Sequence, residues 1–149
     1  MPLPPPDCER TAAHQRTITV SAHRRSDDLW DIEGHLTDVW PHPVPVAGDM
    51  LPAGQPMHSM WLRLTLDRSL TIVAAQAATD AGPYGAACGS IGPDYGQLVG
   101  VTIARGYRDT IRKLFGRTAG CTHINELATA MGTAAMQAMW EVMTQDPEQ

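Results

Sequence analysis

The densest chemistry-bearing stretch of the chain is Trp30-Asp-Ile-Glu-Gly-His-Leu-Thr37, where two carboxylates and an imidazole recur at every second position. Residues two apart share one face of a strand, so Asp31, Glu33 and His35 are expected side by side. A carboxylate beside an imidazole orients and charges the ring, which is the simplest general-base pair. Gly34 between them leaves room for a ligand or another backbone to come close. His58 precedes Trp61, Arg63 and Thr65 and could join the same site from a second strand. Trp30, Trp61 and Arg63, with Met60, are the groups expected to hold an aromatic ligand. Cys121-Thr-His123 is the second suggestive element. Both side chains are expected at a helix N-terminus, where the dipole and free N–H groups favour a thiolate. Such a thiolate could be a nucleophile, a metal ligand or an anion-binding partner. Tyr84 could donate a phenolic proton or bind an aromatic substrate. Plainer readings stand beside these: a solvated strand face, a capping turn with an inert thiol, a loop histidine and a core tyrosine.

Other constellations point away from chemistry. Arg105, Arg108, Arg112, Lys113 and Arg117 face a single Asp109, either a solvated helix face or a carboxylate- or phosphate-binding run. Met131, Met136, Met139 and Met143 suit a core or a dimer surface. Neither phosphate-loop pattern, G-x-x-x-x-G-K-[ST] or G-x-G-x-x-G, occurs, and no G-x-S-x-G elbow does.

These groups need elements to place them. Residues 1–15, with Pro2, Pro4, Pro5 and Pro6, read as a disordered tail. Alternation predicts strands over 16–23 and 30–37, joined by the polar turn 24–28. Residues 38–57 carry five prolines and read as a long loop without regular structure, a covering flap or a disordered segment. A second hairpin is expected over 60–66 and 70–79, then a Gly-rich junction from Asp80 to Pro93. Helical periods follow over 94–100, 105–115 and from Thr122, a plausible N-cap, to about Val142, with Gly116 as a stop. Residues 144–149 read as a C-terminal tail. Strands first and helices second predict one α+β domain over 16–143: an antiparallel sheet of three or four strands with helices packed on one face.

The chain has 149 residues and a formal net charge of −5, one domain's worth and no basic nucleic-acid coat. Three separated cysteines, Cys8, Cys88 and Cys121, suggest reduced thiols in a cytoplasm rather than a disulfide framework. The N-terminal residues lack a signal-peptide core, and no stretch approaches a membrane span. A soluble cytoplasmic protein is expected, without nucleic-acid or membrane partners and with a homodimer possible.

Four phrases carry a resemblance: Leu29 to Asp38, Pro56 to Asp67, Asp80-Ala-Gly-Pro-Tyr84 and Gly120 to Leu127. Together they resemble a bacterial family known as domain of unknown function 2889, over roughly residues 15–142. The order of strands, Gly-rich junction and helices, with Cys121 opening the last helix, also looks like NifU-type or SufE-like iron–sulfur scaffold proteins. Gly120 stands where that scaffold pattern has His, and the loop 38–57 has no Cys. The first resemblance implies a small-molecule enzyme, most simply a cofactor-independent lyase moving protons on an aromatic substrate. Its sharpest form is a C–C lyase that releases formaldehyde from a lignin-derived phenol. His35, His58 and Tyr84 would exchange protons, and Asp31 or Glu33 would orient the histidine. One rival is a metal-binding or iron–sulfur scaffold using Cys88, Cys121 and His123; another is a non-catalytic binding or partner protein. No stoichiometric zinc or cluster is expected, because with Cys8 in the tail only two thiols remain for a site that needs four ligands. The working expectation is that Asp31, Glu33 or His35 converges with His58, Tyr84, Cys121 and His123 on one pocket.

Overall fold

The structure, a computed structural model, describes residues 3–145. Its elements in chain order are β1 (Gln15–Arg24), β2 (Trp30–Val39), β3 (Val44–Val46), β4 (Asp49–Leu51), β5 (Pro56–Leu66) and β6 (Ile72–Ala81), followed by α1 (Ala86–Ser90), a 3-10 helix (Gly92–Leu98), α2 (Tyr107–Phe115), α3 (Thr122–Ala138) and α4 (Trp140–Gln145). The order β1-β2-β5-β6 forms one antiparallel four-stranded sheet. This is the α+β arrangement that the switch from period two to period 3.6 predicts.

Alternation decides which face is covered. On β2, Trp30, Ile32, Gly34, Leu36 and Asp38 are buried, while Asp31, Glu33, His35 and Thr37 are half-buried. On β5, Met60, Leu62, Leu64 and Leu66 continue the apolar layer, and the register sets Ile32 against Leu64 and Leu36 against Met60. α3 lies over β1, β2 and β5 with Ile124, Leu127, Ala128, Met131 and Ala135 buried, and α2 packs against α3. Gly34 leaves room that the side chains of α3 fill. A Cβ on it would stand 2.6 Å from Met131 Sδ and 2.7 Å from Leu127 Cδ1. The close approach that Gly34 permits is therefore made by α3, not by a ligand.

Several boundaries differ from expectation for physical reasons. The proline-rich stretch 38–57 holds the β3–β4 hairpin, turned at Ala47 and Gly48 with φ of 50° and 96°. Positive φ at both central residues matches the right-handed twist of the flanking strands. Pro45 sits in an edge strand of this two-stranded ribbon, where no further ladder bond is needed. The N-cap of α3 is Cys121 rather than Thr122. The final helical stretch breaks at Met139, and α4 follows it. Residues 3–14 contain no strand or helix, but His14 and Gln15 already belong to the folded unit, through a side-chain contact and β1 respectively. Of the expected C-terminal tail, 144–145 end α4 and 146–149 lie outside the described residues. No helix of the described residues is long and apolar enough to cross a membrane.

Candidate active site

The apolar phase of β2 ends on a carboxylate. Asp38 follows Ile32, Gly34 and Leu36 on the covered face and is 1% exposed. A buried charge needs partners, and neighbouring strands supply them in register: Arg16 of β1 on one side and His58 of β5 on the other. Arg16 donates from Nε to Asp38 Oδ1 at 2.8 Å and from Nη2 to Oδ2 at 2.7 Å, and its Nη1 pairs with Glu126 of α3. His14 Nε2 reaches Oδ1 at 2.9 Å, with its ring against Trp40. His58 Nδ1 stands 3.0 Å from Oδ2.

The start of α3 completes the cluster. His123 stacks on His58 with ring centroids 3.7 Å apart, and its Nε2 lies 3.6 Å from Asp38 Oδ2. Its Nδ1 is 3.7 Å from Cys121 Sγ. Buried Tyr95 fixes this helix start: its hydroxyl accepts from the Cys121 N–H at 3.0 Å and donates to Asn125 Oδ1 at 2.7 Å. Asn125 Nδ2 in turn donates to the Phe115 carbonyl at 2.8 Å.

The electrostatics set the protonation states. Burial alone pushes the Asp38 carboxyl up, but hydrogen bonds and charge from Arg16, with help from His58 and His14, hold it below its ordinary range. Burial pulls His58 down from 6.5, and the Asp38 charge offsets only part of that. Burial likewise lowers His123, with the charges of His58 and Arg16 acting in the same direction. Both rings are neutral near neutral pH. A neutral His58 that donates Nδ1–H to Asp38 has a bare Nε2, the state of a general base. His58, His123, Cys121, Cys88, Met60 and Tyr84 border one cavity of about 320 Å³, on the scale of a small-molecule site. Tyr84 stands at its rim, 76% exposed.

The structure therefore joins four of the expected residues, His58, Tyr84, Cys121 and His123, and separates the rest. Asp31, Glu33 and His35 lie on the opposite, open face of the sheet, because their odd phase is offset from the phase of Asp38 and His58. Asp31 accepts from Thr65 Oγ1 at 2.7 Å, Glu33 pairs with Arg63, and His35 meets Ser59 Oγ at 3.0 Å. Trp61 stacks on His35 at 3.7 Å and donates to Asp80. Trp61 and Arg63 border a separate open-face hollow of about 310 Å³ with Glu33 and Gln76. Trp30 belongs to the core, with the Arg24 guanidinium 5.7 Å over its ring. Asp38, Arg16, His14 and Glu126 are the site residues that reading by residue type passed over. The signal was present: an acid in phase with Ile32, Gly34 and Leu36 is a buried acid.

Asp38, His58 and His123 place donor atoms within 4.8 Å of one another, a spacing one metal ion could bridge; Cys88 and Cys121 take no part in that group. Arg16, bidentate on the carboxylate, already supplies the balancing cation.

Comparison with known proteins adds one finding. No curated protein and no solved structure matches the chain, so the likeness to NifU-type scaffolds gains no support. The model of the family described as "Protein of unknown function (DUF2889)" matches residues 14–137, a span that holds every residue of the Asp38 cluster. The chain belongs to the DUF2889 family.

Proposed function

We propose that the protein is a small enzyme that moves protons on a partly apolar, aromatic small molecule without an organic cofactor. One observation carries this reading: a buried carboxylate holds His58 by Nδ1, while a second imidazole stacks on that ring at the wall of a cavity. Asp38 orients His58 and favours its protonated form as a proton arrives. His58 Nε2 takes the proton and, as the imidazolium, returns it to the substrate, while neutral His123 stacks against that ring and holds it in place. Met60, Ile91 and Pro83 give the cavity an apolar wall for a ring, and the Tyr84 hydroxyl can meet a polar substituent at its mouth. In the sharpest form the reaction is a C–C lyase. His58 removes the hydroxyl proton of a hydroxymethyl group, the adjoining C–C bond breaks as formaldehyde departs, and the carbon left with the electron pair takes that proton back from the His58 imidazolium. The free thiols of the described residues accord with a cytoplasmic setting, and the reading needs only one protomer.

The test is a panel of hydroxymethyl-bearing phenols assayed for released formaldehyde. At least one is expected to turn over, with His58→Gln slowing it about 10²- to 10⁴-fold. Turnover that survives His58→Gln unchanged would remove this assignment.

A further inference from the structure

We infer that Cys121 is a nucleophile toward the carbonyl carbon of an aldehyde bound in the same cavity, with His123 as its base and Asp38 behind the ring. This rests on reading the cavity as an active site and gives that site a second reactive atom, distinct from His58 Nε2. Three observations carry it. Cys121 Sγ lies 3.7 Å from His123 Nδ1, within hydrogen-bond reach for sulfur, and both side chains border the cavity. The opposite ring nitrogen, Nε2, lies 3.6 Å from Asp38 Oδ2, so the carboxylate stabilises the ring once it takes the thiol proton. Nucleophile, base and carboxylate thus stand in line, the order that activates a thiol. Finally, Cys121 is the N-cap of a 17-residue helix whose first turn carries no side-chain cap and no acidic residue. The free N–H groups of that first turn, with Thr122 and His123 at the cavity wall, favour an oxygen that becomes negative.

The step balances without an outside reagent. The Sγ–H proton passes to His123 Nδ1 as Sγ bonds to the carbonyl carbon. The π pair of the C=O bond moves onto oxygen beside the helix amides, and His123 then gives the proton to that oxygen. The product is a thiohemiacetal, and reversal releases the aldehyde. Nothing is oxidised or reduced. The ligand class is an aldehyde on a small apolar or aromatic body, set by the wall of Met60, Ile91 and Pro83.

The experiment uses the full chain, its own cysteines and iodoacetamide, with labelling rates at Cys8, Cys88 and Cys121 followed by peptide mass spectrometry. Cys8 is exposed and serves as the internal reference. Cys121, though half-buried, is expected to label about tenfold faster than Cys8. In His123→Gln, whose fold is checked by its melting curve, the rate should fall to that of Cys8 or below. Benzaldehyde should slow labelling at Cys121 saturably, leave Cys8 unaffected, and lose its effect on dialysis. A Cys121 rate no higher than that of Cys8, or one indifferent to His123→Gln or to benzaldehyde, overturns the inference. His58→Gln distinguishes the two readings: it should slow formaldehyde release about 10²- to 10⁴-fold yet keep fast Cys121 labelling.

Discussion

The two faces of the sheet carry the same kinds of side chain and put them to different uses. On the open face, Glu33 and Arg63 pair at 33% and 50% exposure, and His35 leans on Trp61. On the covered face, Asp38 is 1% exposed and gathers Arg16, His14, His58 and His123 around one carboxylate. Water screens the first set, and each member needs little from its neighbours. Exclusion of Asp38 from water forces fixed partners on it and shifts the protonation of Asp38, His58 and His123, which is where catalytic groups are expected. Residue type is common to both faces, so phase on the strand decides which set is buried.

The largest expected contrast is in turnover. His58→Gln should lower the rate about 10²- to 10⁴-fold, whereas His35→Gln, across the sheet, should leave it within about twofold. Equal losses from the two variants would mean that the covered face holds no special place in the chemistry.

Next comes stability at Asp38. Asp38→Ala strands Arg16 and removes the acceptor of two imidazoles, at a cost of about 3 kcal/mol, or a Tm lower by roughly 10 °C. The pH dependence has a definite sign. His58 and His123 titrate below 6.5 in the fold, so as pH falls through that value the unfolded chain takes up protons first. Their contribution is full above pH 6.5 and declines below it. Asp38, held under 3.8, adds a second loss only as pH falls below that value and through its folded pKa. Melting curves across this range should show stability declining from about pH 6.5, with the upper part of the slope flattened in a His58→Gln, His123→Gln double variant. A wild-type stability that rises as pH drops from 6.5 to 5 would contradict neutral, buried rings.

A third variant tests what holds the faces apart. Gly34→Val drives a branched side chain into Met131 and Leu127 and should cost about 1–3 kcal/mol by overpacking. An unchanged melting curve would mean that α3 sits less tightly on β2 than these contacts require.

How much of this was legible in the sequence follows from the same contrast. The four long strands, the helical stretches after residue 92 and the covered face can be read from Ile32, Leu36, Leu62, Leu64 and the Ile124 to Ala135 stripe, because burial writes a period directly; α1, which buries no residue inside the Gly-rich junction, writes none. His58, Tyr84, Cys121 and His123 could be named as candidates from their types and the phrases that hold them. Their common cavity, and the separation of Asp31, Glu33 and His35 from it, could not. That outcome depends on the β2–β5 register, which pairs Asp38 with His58, and on where α3 begins over the sheet. Asp38 is not legible as buried because the alternation of residue types ends at Thr37, whereas β2 runs on to Val39. The β3–β4 hairpin escaped because three-residue strands between prolines carry too little alternation to register.

The smallest effect is expected from the pair that looks most like a designed interaction. Arg63 donates from Nε to Glu33 at 2.7 Å across β2 and β5, a geometry as good as that of Arg16 on Asp38. Good geometry is not the deciding quantity, because both members of the open-face pair keep much of their hydration. Exposed pairs of this kind contribute about 0.2–1 kcal/mol, and salt reduces that further. A double-mutant cycle with Glu33→Gln and Arg63→Met should give a coupling in that range at low salt and a smaller one at about 1 M salt. The matching cycle with Asp38→Asn and Arg16→Met should give a larger coupling that salt changes little, because the carboxylate is closed off from solvent. If the open-face coupling equals the buried one, or resists salt equally, then exposure does not separate the two faces. Burial of Asp38 would then give it no electrostatic advantage over Glu33 as a place for the chemistry.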